Sequence, residues 1–135
     1  MRFVDPTATD RLDLGACECP GKPHESDWVE YRTQISYGVL GAISVTGDVM
    51  SAKRKLLELT IVDWNLCAAD GTVPDIDAEA IDALDPVTAE RIYEAVDGAI
   101  QRSQTFPNAF GARSRGTSRA SASRTRSRTR TPTTS

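Results

Sequence analysis

Aromatic residues make up only 6% of this 135-residue chain, and it holds a single histidine. With 39% hydrophobic residues there is material for one modest core and little for a second. No run approaches the roughly 20 apolar residues that span a bilayer. The most apolar stretch, Tyr37 to Thr46, is broken by Gly38 and Gly41. The first residues, Met1-Arg2-Phe3-Val4-Asp5-Pro6, lack the apolar segment of a secretory signal, so the chain is expected to stay where it is made. In such a compartment a disulfide framework is not expected of the three cysteines. There is no glycine-rich loop to cradle a phosphate. The one thiol–imidazole pairing, Cys17 or Cys19 with His24, sits in a flexible turn of a small domain, a poor place to hold a thiolate, an imidazole and a third group together in a cleft. The chain is therefore not expected to be an enzyme, and no catalytic residue is assigned.

What charge there is falls unevenly. All 19 acidic residues precede position 100, and seven of the 16 basic ones are arginines from Arg113 to Arg130. The tail thus carries +7, and nine basic residues against 19 acidic ones leave −10 on the rest. The stated net charge of −3 conceals two opposite electrostatic objects.

Several elements are legible. Arg11-Leu12-Asp13-Leu14 alternates as a short strand. Cys17 to His24, with Pro20, Gly21 and Pro23, reads as a turn. Asp27 to Thr33 alternates again, with Trp28, Glu30 and Arg32 on one face and Val29, Tyr31 and Thr33 on the other. Residues 37–49 fix no element. Ala52 to Glu58 has helical character, Leu59 to Leu66 reads as a buried strand with Trp64 in the core, and Ala69 to Thr72 supplies a turn. Asp77 is the N-cap of a short helix with Ile81 and Leu84 on its apolar face. Asp85-Pro86 opens a longer one in which Ala89, Ile92, Val96 and Ile100 recur at helical spacing to about Arg102. Asp75, Asp77, Glu79, Asp82 and Asp85 bracket these helix starts and read as a solvated acidic face. The expected fold is α+β: a flexible N-terminus over residues 1–10, a globular domain over 11–107 with a small antiparallel sheet followed by two helices, and a disordered Arg/Ser/Thr-rich tail over 108–135.

The feature richest in chemistry is Cys17-x-Cys19…His24. Two thiolates and an imidazole within eight residues can reach one tetrahedral ion, and the prolines and glycine lower the entropy of closing the loop. Cys67 adds a third soft donor, so Cys17, Cys19, His24 and Cys67 form the expected zinc set, with Asp27 or water as alternatives to Cys67. The competing reading is a proline-stiffened turn with reduced cysteines. The arginine tail also has two readings: a tether that meets the domain's own acidic surface, or a polyanion binder acting by charge alone, without aromatics for base stacking.

The series Cys17-x-Cys19-Pro20-Gly21-x-Pro23-His24-x-x-Asp27, then Trp64-Asn65-Leu66, Asp70-Gly71-Thr72-Val73-Pro74 and Leu84-Asp85-Pro86, resembles small tail assembly chaperones of long-tailed phages that infect actinobacteria. The resemblance covers roughly residues 11–102. It implies a role in the host cytoplasm: binding the tape-measure protein and the tail-tube protein, keeping them soluble, and leaving before the tail is complete. The edge of the Trp28–Arg32 strand and the Ala89–Ile100 helix face are the surfaces such binding would use, although that helix face is also the one expected to pack on the domain's own sheet. A zinc-stabilised structural part of the virion, and a nucleic-acid binder working through the tail, are the alternatives.

Overall fold

Three short strands and four helices follow one another in the computed structural model, which describes residues 2–104. The strands are β1 (Thr9–Ala16), β2 (Ser26–Arg32) and β3 (Ile61–Trp64), and they form one antiparallel sheet in the order β1-β2-β3. Two helices, α1 (Tyr37–Ser44) and α2 (Val49–Thr60), lie between β2 and β3 in the chain. Two more, α3 (Ala78–Asp82) and α4 (Pro86–Ser103), follow the sheet. The α+β class and the two C-terminal helices match expectation. The expected disordered tail, with its polyanion or tether role, lies outside the described residues.

β2 is the spine of the sheet. Val29 and Tyr31 point into the core while Trp28, Glu30 and Arg32 stay half-buried on the other face, as the alternation predicts. Arg11 of β1 lays its guanidinium 3.9 Å from the centre of the Trp28 ring. Because β2 pairs with β1 on one side and β3 on the other, it offers no free edge. This corrects the expectation that a partner could add to the Trp28–Arg32 strand.

The segment that the sequence left open, residues 37–49, holds α1, a short turn and the start of α2. Ser36 caps α1 by accepting from the Val39 N–H, and Asp48 caps α2 by accepting from the Ser51 N–H at 2.8 Å. β3 is less buried than a strand of core residues would be. A bulge opposite Glu30 and Tyr31 shifts its phase, so that Ile61 and Trp64 both face inward while Val62 and Asp63 stay exposed. The Trp64 indole N–H donates to the Pro74 carbonyl at 2.9 Å, which satisfies its one polar group.

α4 closes the core. Ile92, Val96, Ala99 and Ile100 are buried on its inner face, against α2, β1 and β2, so this face belongs to the domain itself. Leu56 and Leu57 of α2 and Ile43 of α1 complete the apolar interior. Asp85 caps α4, accepting from the Thr88 N–H at 3.2 Å, and Pro86 occupies the first turn. Asp85→Ala should cost about 1 kcal/mol, the ordinary loss of an N-cap, read as a lower urea midpoint at unchanged slope.

The N-terminal boundary differs from expectation. β1 starts at Thr9, inside the segment expected to be flexible. Residues ahead of it are tied down: the Asp5 N–H donates to Gln34 Oε1 at 2.9 Å and the Ala8 carbonyl accepts from the Thr33 N–H at 3.0 Å. Among the described residues no helix is long and apolar enough to cross a membrane.

Candidate metal centre

β1 delivers the chain to the site, and a bulge sets how it arrives. The register slips by one residue between Asp13 and Gly15, with Gly15 at φ +103° and its N–H donating to Asp13 Oδ1 at 2.8 Å. Leu12 and Leu14 face the core partway. The added residue reverses the alternation, so Ala16 is exposed and Cys17 turns inward, 2% exposed.

The turn itself is held by its backbone. The Cys17 N–H donates to the Glu25 carbonyl at 3.4 Å, joining the two ends of the loop. Inside it, the Lys22 N–H donates to the Cys19 carbonyl at 2.9 Å around Pro20 and Gly21. Proline fixes the first central position of that turn, and Gly21, at φ +76°, supplies the positive dihedral the second one needs. Lys22 follows at φ +45°, an uncommon conformation for a side-chain-bearing residue, and its ammonium donates to the Cys17 carbonyl at 3.0 Å. The Cys19 N–H donates to Cys17 Sγ at 3.3 Å.

On this frame Cys17, Cys19, His24 and Asp27 converge, with one donor atom from each lying within 4.8 Å of all the others. His24 Nε2 is 2.7 Å from Asp27 Oδ1 and 3.5 Å from Cys19 Sγ. The second carboxylate oxygen of Asp27 accepts from the Glu18 N–H at 3.1 Å, so this buried acid is oriented from two sides. Two soft sulfurs, an imidazole and a carboxylate are a donor set suited to zinc.

Cys67, expected as the fourth ligand, is instead bonded to Cys19. This overturns the expectation that all the thiols are reduced, and sheet register explains it. β2 and β3 run antiparallel, so the residues after β3 lie beside the turn that precedes β2. Asn65 fixes that juxtaposition: its Oδ1 accepts from the Trp28 N–H at 2.8 Å and its Nδ2 donates to the Ser26 carbonyl at 2.9 Å. Cys19 and Cys67 then lie with Cα atoms 5.2 Å apart, within the span a disulfide bridges. Nothing in the sequence marks Asn65 for this part, since an asparagine after a strand ordinarily reads as a turn residue. Asn65→Ala should cost about 1–3 kcal/mol by orphaning partly buried backbone groups, seen as a lower thermal midpoint.

Asp27, Cys19 and Cys67 also line an open groove of about 260 Å³, together with Leu14, Leu66 and Arg91. Comparison with protein-family models, with curated proteins and with solved structures finds no match to this chain.

Proposed function

We propose that the chain is a non-catalytic binding module of phage tail assembly whose N-terminal turn is fixed by one zinc ion. The observation that carries the metal is the convergence of Cys17, Cys19, His24 and Asp27 on a turn already ordered by Pro20 and Gly21. In the reduced chain Cys17, Cys19 and His24 supply three ligands, and Asp27 or Cys67 the fourth. The ion acts as a structural clamp on the turn between the end of β1 and the start of β2, adding to the strand pairing and backbone hydrogen bonds there.

The assembly role rests on the resemblance to tail assembly chaperones. The net −10 ahead of the tail favours solubility of a complex with an apolar helical partner. Tyr37, Val45, Val49 and Met50 leave large apolar side chains exposed on and around α1 and α2, surface of the kind such a partner covers. The partners are a tape-measure protein and a tail-tube protein, met in the host cytoplasm. Coexpression tests this: the soluble fraction of the tape-measure protein should rise severalfold, and the two should co-purify. Unchanged solubility of both would remove the chaperone role and leave the metal site standing.

A further inference from the structure

Cys19 Sγ belongs to two assemblies at once. It lies 3.5 Å from His24 Nε2 and 3.9 Å from Asp27 Oδ1, inside the metal-ligating cluster, and it is also bonded to Cys67. A sulfur in a disulfide is not a thiolate, and the thiolate is the metal ligand. The two uses therefore exclude each other. Closing the Cys19–Cys67 bond leaves Cys17, His24 and Asp27 as the donors. Opening it places two further thiolates at one point, because Cys67 Sγ is already held against Cys19 Sγ by the β2–β3 register and by Asn65.

We infer that this centre is a redox-gated zinc site: the reduced chain binds the ion through Cys17, Cys19, Cys67 and His24, and oxidation to the Cys19–Cys67 disulfide releases it. The inference rests on the metal reading above and deepens it. Three thiolates and an imidazole complete a tetrahedral set. Asp27 Oδ1, which meets the same His24 Nε2 that faces Cys19 Sγ, gives up that contact when the nitrogen binds the ion, while its other oxygen keeps the bond from the Glu18 N–H. The oxidant is a hydroperoxide. The Cys67 thiolate, the less buried of the two, attacks the terminal peroxide oxygen and breaks the O–O bond, giving a sulfenic acid; with hydrogen peroxide the leaving hydroxide takes a proton and departs as water. The Cys19 thiolate then attacks the sulfenic sulfur and expels hydroxide, which takes a second proton. Two thiolates lose two electrons in total, one peroxide gains them, and Zn²⁺ is freed to solvent. The groove lined by Cys19, Asp27 and Cys67 gives a small peroxide its path.

The test uses the full chain, reduced and loaded with one equivalent of zinc, then titrated with hydrogen peroxide. Released zinc is read with a chromogenic chelator and disulfides are mapped by peptide mass spectrometry. One zinc should be released for each Cys19–Cys67 disulfide formed, and the oxidised chain should bind zinc more weakly by at least the roughly 10–100-fold that even an outer-shell change costs. Cys67→Ser should bind the ion more weakly when reduced and form no Cys19–Cys67 bond. Reduced wild type that takes up no zinc would overturn the metal reading and the gate together. Zinc kept at unchanged affinity in chain whose Cys19–Cys67 bond is mapped would overturn the gate alone, as would peroxide treatment that yields no such bond. Wild-type affinity in reduced Cys67→Ser would overturn Cys67 as the fourth ligand and assign that place to Asp27.

Discussion

Cys17→Ser combined with His24→Ala should abolish stoichiometric zinc. Native mass spectrometry of the reduced wild type should show one ion per chain, and the double variant none. Either substitution removes a donor of the set, and neither leaves a ligand of comparable strength. A serine hydroxyl is a hard and weakly acidic donor, and alanine offers nothing. The loss should appear in stability as well, because an ion that binds the folded chain alone stabilises it by mass action. At a free ion concentration a hundred times its dissociation constant the gain is about 2.7 kcal/mol. For a domain near a hundred residues that corresponds to a thermal midpoint higher by roughly 10–20 °C. Chelator should therefore lower the midpoint of reduced wild type by that much and leave the double variant unmoved. Chelator with no effect on wild type would show the turn to be held by Pro20, Gly21 and its backbone hydrogen bonds without help.

Ile92→Ala should have a comparable effect by another route. Ile92 is fully buried on α4, in the same interior as Val29 of β2 and Leu56 of α2. Truncating it removes apolar contact and leaves a cavity that neighbours on three different elements can fill only in part. Such changes cost about 2–5 kcal/mol, a large share of the 5–15 kcal/mol that holds an ordinary domain folded. The midpoint should fall by roughly 10–30 °C. Zinc binding below the new midpoint should survive, because the turn and the β2–β3 pairing lie on the sheet. If binding were lost at temperatures where the circular dichroism remained native, α4 would be positioning the site and not merely covering it.

How far the fold was legible depends on how each element is specified. α4 announces itself through Asp85-Pro86 and four apolar residues at helical spacing; the structure buries Ile92, Val96 and Ile100 as read, leaves Ala89 half-buried and adds Ala99 to the inner face. β2 was equally plain, because period-two alternation is a local property. α1 was not. Gly38, Gly41 and the β-branched Val39 and Ile43 are weak helix formers, and the helix depends on the Ser36 cap and on burying Ile43 against α2. The centrality of β2 could not be read either, since strand order is decided by non-local pairing. At the site, the Cys17–Cys19–His24 grouping was visible because a short loop brings its own members together. Asp27 was visible only as an alternative, and the Cys19–Cys67 bond not at all. That bond depends on the β2–β3 register across a sequence separation of 48, with two intervening helices.

The same separation gives the protein a mechanical character. With Cys19 joined to Cys67, the segment containing β2, α1, α2 and β3 is a closed ring, and β1 and the C-terminal helices are arms attached at a single point. Tension applied to the two ends then runs through the bond and bypasses the ring. The extensible contour is shorter by the bridged separation, roughly 160–170 Å at 3.3–3.6 Å per residue. In a single-molecule pulling experiment the oxidised chain should lengthen by that much less than the reduced one, with the ring left slack.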